Sequence, residues 1–254
     1  MRSLISAELL KLRSTKSAWI PLAAALTAAV LAVIANTAAA GHGGAPPLST
    51  TALPNLLRAS GGQIVDGAVL LAWIMLSAGE FRHHTSVTTF LGQPRRLRVV
   101  SAKLIAAALT GAAVGLLAEM LSAATSAAAL SAHHVPLAWD QPGVTGAVVA
   151  VPLLAALYGV LGVGLGLLLR NTAAAVGLAL TWAFVIEGVV PAVLHQPGIS
   201  RWLPEAAANA ALHGAAPAAL PAGMALAVLA GYATVLAGAG AAITARREIT
   251  TAPG

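Results

Sequence analysis

Apolar residues occur along this chain in six long runs that are separated by shorter polar segments. A helix of about 20 apolar residues crosses the hydrocarbon core of a bilayer, and each run is close to that length or longer. The pattern therefore predicts an all-α integral membrane protein with six transmembrane helices in one membrane domain, residues 18–245. The predicted spans are residues 18–40, 62–78, 99–130, 143–169, 172–194 and 222–245.

The segment before the first run, residues 1–17, predicts a different kind of helix. Its apolar residues recur at the spacing of one helix face, at Leu4, Ile5, Leu9 and Leu12. Such a helix lies in the plane of the membrane surface. Its polar positions, the candidate interfacial residues, include Glu8, Lys11 and Arg13.

The first run also resembles the start of a secreted protein, because the alanines at residues 38–40 look like a cleavage site. A signal peptide, however, has an apolar region of only about 7–15 residues. The first run is longer than that. We therefore expect it to be retained as a transmembrane helix.

Composition narrows the class of protein. The chain is 58% hydrophobic and only 9% charged, whereas soluble domains contain about 25% charged residues. It has no cysteine, which excludes disulfides, a thiolate nucleophile and Cys-based metal sites. The sequence pI near 10.8 does not point to nucleic acid, because the basic residues flank apolar runs instead of lining one solvated face. Lipid head groups explain them better.

Lys and Arg are distributed unevenly between the two sides that six spans would create. Only Arg58 and Arg201 of the 14 Lys and Arg residues fall on one side, and twelve fall on the other. Short basic loops stay in the cytoplasm, so both termini, including the tail 246–254, are predicted to be cytoplasmic. The Ala-rich composition favours a bacterial chain, and hence a multi-pass protein of the bacterial plasma membrane.

The stretch after the second run, residues 79–103, holds five of the 14 Lys and Arg residues, and residues 79–98 are its polar loop. Its short amphipathic piece, residues 85–91, is bounded by Gly92 and Pro94. A piece of this kind, held at the membrane surface between two spans, is suited to docking a soluble partner.

Glu80 lies where the second run ends. It can pair with Arg82 or Arg96, or accept hydrogen bonds from backbone amides at the start of a helix, and so form a rigid junction. Alternatively, it only marks the water interface. Arg95, Arg96 and Arg98 fit lipid phosphates as well as they fit a protein partner.

The remaining polar segments are predicted to be loops. Residues 41–61 form a Gly-, Pro- and Ser-rich loop that contains Arg58. Residues 195–221 form a longer outer loop in which Trp202 and Leu203 suggest interfacial helices.

Glycines predict close helix packing inside the membrane, where small residues let backbones approach. They are Gly111 and Gly115 in the third span and Gly159, Gly162, Gly164 and Gly166 in the fourth. In a chain this rich in Ala and Gly, such spacing also arises by chance. The chain has no Gly-Lys pair, so the fourth-span glycines are not a phosphate-binding loop.

Three acids, Asp66, Glu119 and Glu187, fall within predicted spans, and an ionisable residue there suggests a function. At 1.5 Å per residue they lie roughly 21, 24 and 26 Å from the basic ends of their spans. We expect an outer polar layer that lines an exit path or favours cationic cargo. Alternatively, the three acids reach water at the outer face or pair with Arg58 and Arg201.

Catalytic and metal-binding motifs are absent from the sequence. His83–His84 and His133–His134 are adjacent pairs whose side chains diverge on a helix, and no HExxH occurs. No serine is paired with an intramembrane histidine in a pattern that fits a protease. We predict neither an enzyme nor a metal site.

Three stretches together resemble the permease subunits of ABC exporters of the type-2 group. They are residues 8–14 with Trp19, residues 79–82 with Thr85 followed by 94–96 and 102–103, and residues 201–204 with 206–212. The six-span layout fits along the whole length. His83–His84 departs from the family pattern, which often has a basic residue and Gly there.

The resemblance implies a subunit that pairs with a second permease copy, more often identical than different. The segment 79–98 would be a coupling loop or helix, in which Glu80, Phe81, Arg82, Thr85, Arg95 and Arg96 contact a separate ABC ATPase. ATP and Mg²⁺ would be bound by that ATPase, and this chain would need no cofactor. The cargo would be a drug, antibiotic, lipid or similar substrate, moved outward.

Two other functions remain open from the residues alone. The chain could be a membrane anchor or sensor that recruits a cytoplasmic partner without transport. A secondary transporter is less favoured, because no two spans at matching positions are broken by Gly or Pro.

Overall fold

The structure is a computed structural model. It describes residues 1–49, 51–60, 63–82, 95–189, 193, 197–213 and 219–246. The predicted contact residue Thr85, the amphipathic piece 85–91 and the tail after Arg246 lie outside the described residues. The regular secondary structure that is described is entirely helical.

The helices are numbered here in chain order. They are α1 (Arg2–Ser14), α2 (Lys16–Ala39), α3 (Ala52–Ser60), α4 (Gln63–Arg82), α5 (Arg96–Ala132), α6 (Pro142–Leu169), α7 (Thr172–Thr181), α8 (Pro197–Ser200), α9 (Pro204–His213) and α10 (Ala222–Arg246). A π-helical turn, Trp182–Ile186, continues α7.

Five of these helices, α2, α4, α5, α6 and α10, are long and apolar enough to cross a bilayer, counting only the described residues. This confirms an all-α integral membrane protein. The predicted span 172–194 differs. Its described apolar helix, Thr172–Ile186, extends roughly 22 Å at 1.5 Å per residue, whereas the hydrocarbon core is about 30 Å thick. Because most of 190–194 is not described, this crossing stays a prediction.

The amphipathic helix at the start of the chain is confirmed. Thr15 has an extended backbone (φ −92°, ψ 96°) that separates α1 from α2. Ile5, Leu9 and Leu12 of α1 pack against the main apolar cluster of the bundle. Burial of this face holds α1 against the bundle, and its place at the membrane surface stays a prediction.

Helix α6 is the centre of the bundle and packs on α4, α5 and α10. A methyl group added at Gly162 would lie 2.5 Å from the Leu70 carbonyl oxygen of α4, and one at Gly164 would lie 2.8 Å from Leu236 of α10. Additions at Gly111 and Gly115 of α5 would meet the α6 backbone, at Ala155 and Pro152. The predicted glycine packing faces are therefore confirmed.

The prediction that residues 41–61 form only a loop is wrong. Residues 52–60 fold into α3, which buries Leu53, Leu56 and Leu57 against α2, α5 and α6. These leucines occupy positions i, i+3 and i+4, the spacing of one helix face. Because Pro, Gly and Ser surround this short segment, its helical period was masked by turn-forming neighbours.

The boundaries of the basic segment also differ from the prediction. Helix α4 continues past residue 78 to Arg82, and α5 begins at Arg96 instead of near residue 99. The helices extend beyond the apolar runs, and Glu80 and Arg96 near their ends have protein partners. The short helices α8 and α9 appear where interfacial helices were expected in the outer loop, and α9 packs on α10 and α6.

Candidate functional site

Four charged side chains form a closed ring of ion pairs at one end of the bundle. The Lys103 ammonium lies 2.7 Å from Glu8 Oε2 and 2.7 Å from Glu80 Oε1. The Lys11 ammonium lies 2.8 Å from Glu8 Oε1 and 2.9 Å from Glu80 Oε1. Each ammonium therefore bridges both carboxylates. We call these four residues the ion-pair ring, and the end of the bundle that holds it the basic end.

Three helices supply the ion-pair ring. Glu8 and Lys11 are one turn apart on α1, Glu80 lies in the last turn of α4, and Lys103 lies near the start of α5. Lys103 is on the buried face of α5 with Val99 and other small apolar residues. The ring therefore joins α1 to α4 and α5, the two helices that flank residues 83–94.

The ion-pair ring is electrically balanced, and two of its four members are buried. Lys103 is 2% exposed and Glu8 is 4% exposed, and two ammonium groups face two carboxylates. Burial of unpaired charges would cost several kcal/mol per ion, so the mutual pairing is what makes this burial possible. Each ion pair shares an ammonium or a carboxylate group with the next pair. The ring therefore fixes the positions of the three helices relative to one another.

Lys11 is the ring member nearest to water. Burial lowers the pKa of its ammonium, but the neighbouring charges and hydrogen bonds of Glu80 and Glu8 outweigh this effect. The net result is a pKa above the ordinary lysine value of 10.5. Lys11 therefore stays charged at physiological pH.

Two arginines fasten the same end to the remaining helices. The Arg170 guanidinium lies 4.8 Å from the centre of the Phe81 ring, a cation–π contact, and donates to the Ile243 carbonyl of α10 at 3.4 Å. Arg96 donates to the Thr244 carbonyl at 3.2 Å. The two sides of residues 83–94 are thus tied to α1, α10 and the turn after α6.

The predicted contact residues are partly brought together here. Glu80, Phe81 and Arg96 take part in the contacts just described. Arg95 is exposed at the residue before α5. Arg82 is the last residue of α4, and its side chain lies outside the description.

The two predicted interfacial cations on α1, Lys11 and Arg13, differ in environment. Lys11 is in the ion-pair ring, whereas Arg13 is exposed. In the ring Glu80 pairs with Lys11 and Lys103, and its pairing with Arg82 or Arg96 stays a prediction.

Lys103 was not predicted as a site residue, although it was counted with the basic segment. A signal was present in the sequence. Lys103 shares a helix face with Val99, Ala102 and Ala106, all of which are buried. A lysine within such an apolar face needs a carboxylate partner.

The predicted intramembrane acids lie at different places away from the ion-pair ring. Asp66, in the first turn of α4, is 3% exposed and lines a small cavity with Tyr158 of α6 and with Glu205 and Asn209 of α9. Tyr158 is within electrostatic range of Asp66, Glu187 and Glu205. We call this region the acidic end.

Glu187 fastens the acidic end to the outer loop. Its carboxylate accepts hydrogen bonds from the indole Nε1 of Trp182 at 2.8 Å and from the backbone N–H of Glu205 at 2.6 Å. A carboxylate in this position satisfies an amide in the first turn of α9. Burial raises the pKa of the neighbouring Glu205 carboxyl above its ordinary value.

The structure brings only some of these acids together, and a polar layer that lines an exit path stays a prediction. Asp66 and Glu187 converge with Glu205, which was not predicted because it lies in the outer loop. Glu119 is 2% exposed on α5 and does not line the cavity. Arg201, one of the expected partners of these acids, lies 5.6 Å from the centre of the Trp202 ring. Among the described residues, no three His, Cys, Asp or Glu side chains are arranged to hold a metal ion.

Comparison with models of known protein families and with curated proteins found no match for this chain.

Proposed function

We propose that this chain is the membrane-spanning subunit of an ABC-type exporter, driven by ATP that a separate ATPase subunit binds with Mg²⁺ and hydrolyses. It would pair with a second permease copy in a bacterial plasma membrane, with both termini in the cytoplasm. The cargo would be a drug, antibiotic, lipid or similar substrate. This chain itself would carry no catalytic residue.

The observation that carries the proposal is the ion-pair ring. A docking segment transmits force only if both of its ends are mechanically connected to the membrane helices. Residues 83–94 begin two residues after Phe81 and end two residues before Arg96. The contacts of Glu80, Phe81 and Arg96 connect the segment to α1, to α5 and α10, and to the turn after α6.

The ring also favours transmission over simple recruitment. A partner that binds residues 83–94 and moves them would pull on α4 and α5 together, and on α1 through Glu8 and Lys11. A membrane anchor needs only an accessible docking segment. It has no use for a buried, balanced joint among three helices.

The test is co-expression with a candidate ABC ATPase, such as any that is encoded beside this gene, followed by purification in mild detergent. ATP hydrolysis and cargo export are then measured for the wild type, for Glu80→Ala and for Asp140→Ala. Asp140 is an exposed acid in the loop between α5 and α6, so its replacement controls for loss of a carboxylate. Thermal unfolding of each variant shows whether the subunit is still folded.

We expect a stable complex in which Glu80→Ala weakens hydrolysis and export, while Asp140→Ala leaves both unchanged. A folded Glu80→Ala variant with full export would remove the ion-pair ring from the mechanism. Failure to form a complex with any ABC ATPase would instead favour a membrane anchor that recruits another cytoplasmic partner.

A further inference from the structure

The cavity at the acidic end contains a carboxylate oxygen that the protein leaves unsatisfied. Asp66 is 3% exposed, and within the described part of the chain its Oδ1 atom has no hydrogen-bond partner. A buried, unpaired carboxylate is costly. Something other than the described side chains must therefore satisfy this oxygen.

The surroundings of Asp66 carry negative charge and oxygen ligands. Glu205, Asn209 and Tyr158 line the same cavity, and no Lys, Arg or His is among its described lining residues. Asp66 and Glu205 each lie in the first turn of a helix, α4 and α9. The positive end of a helix dipole favours the ionised form of a carboxylate, whereas burial raises the pKa of Glu205. A bound cation would oppose the effect of burial and hold the carboxylates ionised.

Size and ligand chemistry restrict what can bind. The cavity is about 10 Å³ in volume, close to the space that one water molecule needs, so an organic ammonium group is too large. Carboxylate, amide and phenol oxygens prefer hard cations. Calcium takes 6–8 oxygen ligands, and no described cluster of three acidic or histidine side chains is present. Two carboxylates with neutral oxygens fit a monovalent ion better.

We propose that the cavity between α4, α6 and α9 binds one small monovalent cation, such as Na⁺, with Asp66 Oδ1 as a direct ligand. Glu205, Asn209 and Tyr158 supply the nearby oxygens. Because α9 belongs to the outer loop and α4 and α6 to the bundle, the ion joins the loop to the membrane domain. This site is independent of the proposed ATPase, since its ligands all come from this chain.

The experiment measures binding of ²²Na⁺ to the full-length protein in lipid nanodiscs, with choline chloride keeping the ionic strength constant. The variants are Asp66→Asn, Glu205→Gln and Asp140→Asn. Asp140→Asn repeats the chemistry of Asp66→Asn at an exposed loop position, so it controls for charge alone. The same samples are heated with NaCl or choline chloride, since a ligand that binds the folded state raises Tm.

We expect saturable binding of about one ion per chain and a higher Tm in NaCl. Loss of a supporting residue around a metal lowers affinity about 10–100-fold, so loss of the direct ligand in Asp66→Asn should weaken binding at least that much. Glu205→Gln should weaken it less, and Asp140→Asn should not change it. If Asp66→Asn fails to fold, Glu205→Gln and the wild-type Tm shift still decide the question.

Two results would overturn the site. One is a wild-type protein with no saturable Na⁺ binding and no Tm difference between NaCl and choline chloride. The other is Na⁺ binding that is the same in the wild type and in folded Asp66→Asn or Glu205→Gln. A Tm that depends on pH but not on Na⁺ would mean that the carboxylate is satisfied by a proton, and it would also reject the cation site.

Discussion

At the basic end of the bundle, two lysines and two glutamates neutralise one another. At the acidic end, Asp66 and Glu205 line one cavity with Tyr158, and no basic residue is in the described cavity lining. Both ends remove charge from water, but only the first supplies its own counter-charges. The difference suggests different tasks. A balanced ring makes a permanent joint between helices, and an unbalanced cluster leaves a place for a ligand.

Two faces of α6 differ in how closely they pack. The glycines from Gly159 to Gly166 each face another helix closely, whereas Gly146 is exposed and nothing lies within 4 Å of a methyl group added there. Close backbone contact fixes the packed face of α6 against α4, α5 and α10.

The largest effect on the contrast between the two ends is expected from Lys103→Met, which removes one counter-charge from the ion-pair ring. Glu8 would lose its Lys103 contact in a buried position, so the variant should lose about 3–5 kcal/mol of unfolding free energy. Denaturant unfolding in detergent measures this. Lys16→Met, at an exposed lysine at the start of α2, should change stability little. Equal stability of the two variants would show that the ring is not a structural joint.

A second test compares two glycines of the same helix. Gly162→Ala forces a methyl group against the Leu70 carbonyl, and overpacking of this kind costs about 1–3 kcal/mol. Gly146→Ala adds the same group where nothing lies within 4 Å, and it should leave the free energy of unfolding unchanged or slightly higher. Thermal unfolding of both variants is the measurement. If they behave alike, the packing contrast between these two faces of α6 is incorrect.

The smallest effect is expected from Glu187→Ala at the acidic end. The change removes the acceptor for the Glu205 N–H, and loss of a helix cap costs about 1 kcal/mol. The loss should be local, so hydrogen exchange should speed up in α9, residues 204–213, with little change in Tm. Glu187→Gln keeps an acceptor oxygen and should give an intermediate rate. Unchanged exchange in α9 for Glu187→Ala would show that this contact does not hold the outer loop.

Much of the fold was predictable because its signals are local. The apolar runs located the long helices, and the spacing of Leu4, Ile5, Leu9 and Leu12 located α1. Helix α3 was missed because its three leucines are few and lie among turn-forming residues. Hydropathy alone predicts one transmembrane helix over residues 172–194, but the described helix changes to a π-helical turn at Trp182.

The candidate site was predictable only residue by residue. Glu8, Lys11 and Glu80 were each selected from their positions near the ends of apolar runs, yet nothing in those positions joined them. Lys103 was treated as one more basic residue at the membrane surface, and Glu205 as part of an outer loop. Both are site residues because of the helices that pack against them.

By itself, the sequence determined that this is a helical membrane protein, where its long helices lie, and how its basic residues are grouped. These properties depend on the free energy of placing neighbouring residues in lipid or water. The tertiary structure decided which charges meet. Glu8 and Lys103 are 95 residues apart, and Lys11 and Glu80 are 69 apart. Such contacts depend on how helices pack, and the periodicity of one helix carries no information about its neighbours.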